Sequence, residues 1–201
     1  MRKIAAVVVA AVVLFCWGAV SHMVLGLGDA GLQSVPASAD ATLAGLPAQG
    51  MTEKGLYFFP SMAKEQQQDP AAMAAWSKKV LAEPSGIIIY APSGVVPMSP
   101  GTFAIEFATD IVVSLIALML LLCAAGCCRT LLSRVLFVAM LGAFTAIAHD
   151  VPYWNWYGFP TDFTVAQIAD STISMALVGL VLALIAKKNL DGCGEGETHG
   201  A

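Results

Sequence analysis

Residues 111–128 read IVVSLIALMLLLCAAGCC, a run without one charged side chain. As a helix it rises about 27 Å at 1.5 Å per residue, close to the roughly 30 Å hydrocarbon core of a bilayer. A soluble domain rarely tolerates such a run, so this stretch decides the class of the fold. Three more uncharged runs accompany it, at 4–27, 135–148 and 171–186. The third can start at residue 130 if Arg134 snorkels outward. The third and fourth are short and need polar flanks at the bilayer interfaces. Four spans are expected, with three as the fallback.

Composition agrees. Of 201 residues 58% are hydrophobic and 12% charged, with a mean hydropathy of +0.75. A soluble chain carries about 25% charged residues. The net charge is -4 and no basic stripe exists, so nucleic acid is not an expected partner. The lipid bilayer is.

The cations set the orientation. Arg2 and Lys3 precede span one, Arg129 and Arg134 fall between spans two and three, and Lys187 and Lys188 follow span four. These six share one side if both termini are cytoplasmic. Lys54, Lys64, Lys78 and Lys79 lie in the long segment between spans one and two, which translocates largely regardless of charge. The expected location is a bacterial inner membrane. Span one reads as a retained signal anchor. Its apolar run exceeds that of a cleaved signal, the triplet Ala37-Ser38-Ala39 lies too far downstream, and Leu14-Phe15 before Cys16 is a poor lipoprotein context.

The expected fold is an all-α membrane bundle of four helices with a small exported α+β insertion. Its divisions are span one at 1–27, the exported part at 28–104, span two at 105–128, span three at 130–149, an aromatic interfacial loop at 150–164, span four at 165–187 and a cytoplasmic tail at 188–201. Within the exported part, residues 28–50 read as an irregular linker. GLYFFP and GIIIYAP read as strands, and AAMAAWSKKVLAE between them as a helix capped by Asp69 with Pro70 at its first position. Tyr57, Phe58, Phe59 and Trp76 are the expected core of this insertion.

Ser99-Pro100 repeats the cap-then-proline signature before span two, and Thr164 to Gln167 matches a capping box before span four. Glu106, Asp110 and Asp170 then read as acids near helix N-termini, where the helix dipole favours them. With these at the outer boundary, the interiors of spans two to four read as uncharged. Proton or ion pathways need ionisable groups near mid-membrane, so transport is set aside. No GxSxG elbow is present, which sets aside nucleophilic hydrolysis. The stretch 28–107 contains no cysteine, so no disulfide-stapled module is exported. Cys123, Cys127, Cys128 and Cys193 read as reduced cytoplasmic thiols.

His22, Glu106, Asp110, His149, Asp150 and Asp170 would share one layer at the outer mouth. His22, His149, Asp110 and Asp150 are the candidate metal ligands, and two histidines on antiparallel helices could also ligate a haem. No HExxH, HxxxH or CxxC spacing supports either. The segment HDVPYWNWYGFP at 149–160 follows an outward span, so Tyr153, Trp154, Trp156 and Tyr157 read as interfacial anchors. Pro152, Gly158 and Pro160 are expected to turn the chain there. The expected function is non-catalytic: an accessory subunit or assembly factor that meets a membrane-protein partner through its exported face and needs no cofactor. The alternative is a metal- or haem-dependent membrane redox protein using His22 and His149.

Overall fold

A computed structural model describes residues 1–96 and 98–195, except the side chains of 193–195. The expectations for the Cys193 thiol and for residues 196–201 lie outside the described residues. The chain forms two units, one of Met1–Gln33 with Pro97–Ala201 and one of Ser34–Val96.

The first unit contains α1 (Arg2–Met23). The second contains a short α2 (Asp40–Ala44), strand β1 (Gly55–Phe59), α3 (Pro70–Ala82) and strand β2 (Gly86–Tyr90). The first unit resumes with α4 (Pro100–Cys123), α5 (Leu131–Tyr157), α6 (Thr161–Ile185) and α7 (Lys187–Glu195). Helices α1, α4, α5 and α6 are each long and apolar enough to cross a membrane.

These four pack in the order α4–α1–α6–α5. Small residues allow the close approach. Ala6, Ala10 and Ala11 of α1 have no exposed surface. Between α5 and α6 the backbones meet at Gly142 and Gly179, where an added Cβ would collide with the Ser171 carbonyl and with Val138. Helices that cross a membrane have no hydrophobic drive between them, and such packing with interhelical hydrogen bonds is what holds helices of that kind together. Ser171 Oγ supplies one, donating to the Gly142 carbonyl at 3.1 Å. A continuous core of Leu118, Leu121, Val138, Val178, Leu182 and Leu190 lies toward the end where α1 begins.

Several local expectations hold. Asp69 and Ser99 cap α3 and α4, accepting from Ala71 N and Thr102 N, each with proline next in sequence. The strands pair antiparallel with Gly55 opposite Tyr90 and Phe59 opposite Gly86. Others are corrected. Residues 28–50 are not wholly irregular, because α2 and short 3-10 turns occupy part of them. Thr164 does not cap α6, which starts three residues earlier after Pro160. Its hydroxyl donates to the Pro160 carbonyl at 3.2 Å instead. Pro152 does not end α5; the helix runs through it to Tyr157 and stops at Gly158, whose φ of 72° suits a glycine cap. The expected loop at 150–164 therefore shrinks to Gly158–Pro160. The insertion also lacks the expected core. Pro60 is the only buried residue among the described residues of this unit, Tyr57 and Trp76 are half-buried, and Phe58 and Phe59 are exposed. Trp76 is held by donation from Nε1 to the Pro60 carbonyl at 2.9 Å.

Arg134 is the other correction. It neither sits in a loop nor snorkels, but is buried in the first turn of α5 with 3% of its surface exposed. Its Nε donates to the Cys128 carbonyl at 2.9 Å, and one terminal nitrogen donates to Asp191 Oδ1 at 2.7 Å. Lys187 Nζ donates to the other Asp191 oxygen at 2.8 Å. The start of the expected tail is thus a helix docked on the bundle.

Hydrogen bonds from Lys187 and then from Arg134 hold the Asp191 carboxyl below the ordinary carboxylate range. A lowered folded-state pKa contributes stability above the unfolded value, and that contribution is lost as pH falls through the folded value. The ordinary value for aspartate is about 3.9. Thermal stability is therefore expected to keep this contribution at neutral pH and to lose it below about pH 4. An Asp191→Asn variant should melt lower at pH 7 and lack this part of the acid transition. Parallel melting curves of the two proteins from pH 7 to 3 check it.

Candidate functional site

One group of polar side chains, with Trp17, Ser21, His22 and Asp170 among them, lies toward the end where α1 finishes and α4 begins. Trp17 anchors this region. Its indole Nε1 donates to Asp170 Oδ1 of α6 at 2.7 Å, joining two helices through a charge-assisted hydrogen bond. On the opposite side of α1, Phe15 meets Phe103 and Phe107 of α4 edge-on, with ring centroids 6.3 and 5.9 Å apart. These two contacts set the register of α4 and α6 against α1.

His22 lies one turn beyond, tied to its own helix. Its Nδ1 is 2.9 Å from Ser21 Oγ and 3.1 Å from the Gly18 carbonyl. The ring lies against Gly28, where a Cβ would approach its Cδ2 to 2.5 Å. His149 belongs to a different group. Its Nδ1 is 3.1 Å from Asp150 Oδ1, and its ring faces Tyr153 at 4.6 Å. Two-thirds of the His149 side chain is exposed. Among the described residues no three His, Cys, Asp or Glu side chains come together to hold a metal ion. The four candidate ligands His22, His149, Asp110 and Asp150 are therefore not assembled into one cluster.

The aromatics that follow His149 form a chain of rings. Tyr153 meets Tyr157 at 5.4 Å and Phe159 at 5.2 Å, and Phe159 meets Phe163 of α6 at 5.4 Å. His149, Tyr153 and Tyr157 recur every fourth residue, so they line one face of α5. This ring stack and the Trp154 Nε1 bond to Thr161 Oγ1 at 3.1 Å tie the end of α5 to α6. They offset the backbone bond that Pro152 removes. Trp156, at 78% exposed, points away from the bundle.

Asp110 departs from the expected outer layer. It is the eleventh of 24 residues in α4, about 15 Å from the start of the helix at 1.5 Å per residue. Only 5% of it is exposed. It opens the buried stripe Asp110, Ser114, Ala117, Leu118 and Leu121, while Glu106 one turn earlier is exposed. Asp170 is likewise in the third turn of α6, since that helix begins at Thr161. The helix dipole acts within the first turn, so it explains neither position. Helices α4 and α6 start at Pro100 and Thr161, well before the apolar runs at 111 and 171, so both acids lie beyond the first turns of their helices.

Sequence reasoning missed Trp17 as a partner. A signal was present, because a tryptophan within a span brings an N–H that needs an acceptor. At the opposite end of the bundle, burial raises the Cys128 thiol above its ordinary value, the neighbouring Cys127 adds to this, and Arg134 opposes it. Cys127 itself is exposed. Comparison with protein families, curated proteins and solved structures finds no match to this chain.

Proposed function

We propose that this chain is a multi-pass membrane protein of a bacterial inner membrane that acts as a non-catalytic accessory subunit or assembly factor. In this reading both termini are cytoplasmic, Ser34–Val96 is exported, and the tyrosines and tryptophans of 153–157 sit at the outer interface. The division of cations supports the orientation: Arg2, Lys3, Arg129, Arg134, Lys187 and Lys188 fall on one side of four spans. The buried Arg134 still lies at that end, within α5's first turn.

One observation carries the partner role. Leu56 of β1 stands opposite Ile89 of β2, and these side chains are 63% and 80% exposed. Among the described residues the sheet has two strands, so each strand keeps an outer edge without a strand partner there. An apolar cross-strand face beside free edges suits an extended segment of a partner protein, which adds as a strand and covers the face with alternate side chains. The partner is accordingly a membrane protein with an extended exported segment.

A photoreactive amino acid at Ile89, with a control at exposed Gln67, tests this in intact cells. The expected result is one discrete protein adduct from position 89, absent from 67 and weakened by Leu56→Ser. Adducts with lipid alone, or equal labelling from both positions, would overturn the reading.

A further inference from the structure

Among the described residues, Asp110 and Ser114 form the one place in the four long helices where buried polar atoms lack partners. Asp110 is 5% exposed and Ser114 is fully buried. Among the described residues, neither Asp110 Oδ2 nor Ser114 Oγ has a hydrogen-bond partner. The two residues are one helical turn apart on the same buried stripe of α4, so both oxygens face the same side.

Their depth follows from the ring contacts. Phe15 of α1 lies level with Phe103 and Phe107 of α4. Asp110 is three residues past Phe107, so it lies level with α1 near Ala10 and Ala11, close to mid-helix. Those two alanines are fully buried and small. A carboxylate enclosed at this depth without compensation costs several kcal/mol, and intramembrane acids are rare for that reason. A structural role would show as a hydrogen bond or an ion pair. Among the described residues, no salt bridge reaches Asp110.

The surrounding helices offer no fixed counter-charge. Between Lys3 and His22, α1 has only Cys16 as a titratable group, and that side chain is exposed. On α6, Asp170 is engaged by Trp17, and Asp162 lies in the first turn. On α5, Arg134 is committed to Asp191, while His149 and Asp150 pair with each other. On α7, Lys187 is bonded to Asp191 and Lys188 is exposed. Glu106 on α4 itself is exposed and adds only negative charge.

We propose that Asp110 Oδ2 and Ser114 Oγ belong to a binding site for a single small positive charge, a proton or a monovalent alkali cation, inside the bundle. The carboxylate supplies the opposite charge, and the hydroxyl supplies a second oxygen. The missing partner of both atoms is then the ligand itself, directly or through one bridging water. A reversible charge site at mid-helix, inside the bundle, is the feature that the uncharged reading of the spans denied, and it reopens a transport or ion-coupled role. It stands independently of the exported contact, since it involves only the first unit.

The test uses the purified full chain in lipid nanodiscs and dicyclohexylcarbodiimide, an apolar reagent that adds to protonated carboxyl groups. Peptide mass spectrometry locates the adduct. At pH 6 without alkali cations, Asp110 should be modified. A proton site predicts that raising the pH to 9 suppresses the adduct while sodium, potassium and lithium do not. An alkali-cation site predicts that one of these ions suppresses it at pH 6. Ser114→Ala should shift the half-protecting cation concentration by about fivefold, or the half-protecting pH by about 0.7 unit, the effect of one hydrogen bond. Absence of the Asp110 adduct, or an adduct insensitive to both pH and cations, would overturn the proposal. Both readouts are on wild-type protein, so a folding defect in any variant leaves the test intact.

Discussion

Gly142→Leu is expected to separate α5 from α6 and to leave little folded protein. The reason is backbone proximity. A Cβ at position 142 would lie against the Ser171 carbonyl oxygen and within 2.9 Å of Met175 side-chain atoms. A flexible side chain can move aside, but a helix backbone cannot do so without carrying its helix along. Overpacking of this kind costs about 1–3 kcal/mol for small insertions and more for large ones. Gly142→Ala should therefore lower stability by about 1–3 kcal/mol, and leucine should exceed that range. The Ser171 hydrogen bond to Gly142 would be lost with either. Gly18→Ala is the matched control, because nothing lies within 4 Å of its added Cβ. There, alanine should be neutral or stabilising by up to about 1 kcal/mol through helix propensity. Thermal melts and size-exclusion profiles in one detergent give the comparison. Equal tolerance at 142 and 18 would mean that the two backbones do not meet as described.

Trp17→Phe should cost about 1–3 kcal/mol, because it keeps an aromatic ring, smaller than the indole, but strips Asp170 of its donor. The Asp170 carboxylate would then remain between α1 and α6 without the indole N–H that reaches it at 2.7 Å. Asp170→Asn keeps an acceptor and should cost less. Asp170→Leu, made together with Trp17→Phe, should recover much of the single-variant loss, since removing both partners leaves no orphaned group. A double-mutant cycle read by reversible unfolding measures the coupling. Additive costs would show that the bond contributes nothing beyond packing.

Local signals were read well where they depend on neighbours in sequence. Asp69-Pro70 and Ser99-Pro100 start helices because a capping oxygen and a fixed proline φ act over one turn. The aromatic run of GLYFF and the β-branched run of GIIIY made the two strands visible, and they pair antiparallel. Helix ends were less legible. Pro152 looked like a stop, yet the helix runs through it, with Tyr153 against Tyr157 and Phe159, and the Phe159–Phe163 and Trp154–Thr161 contacts that join its end to α6 form only once α6 is beside it. The candidate layer of six titratable groups was a matter of inferred depth. His22 and His149 end up with separate local partners, because a side chain's bonding depends on which way its helix face turns.

By itself, then, the sequence determined that four segments are long and apolar enough to cross a membrane, and where a small mixed insertion interrupts them. Length, charge content and local capping are properties of the chain before it folds. The tertiary structure alone decided which helices touch, that Arg134 is buried against Asp191, and that Trp17 reaches Asp170. It also decided that Asp110 faces inward, at mid-helix, with an oxygen unpartnered. Rotation and register of one helix against another are set by packing at Ala10, Phe15, Gly142 and Gly179, residues far apart in the chain. Hydropathy averages over a helix and cannot distinguish its faces, so it cannot show which polar group ends up enclosed.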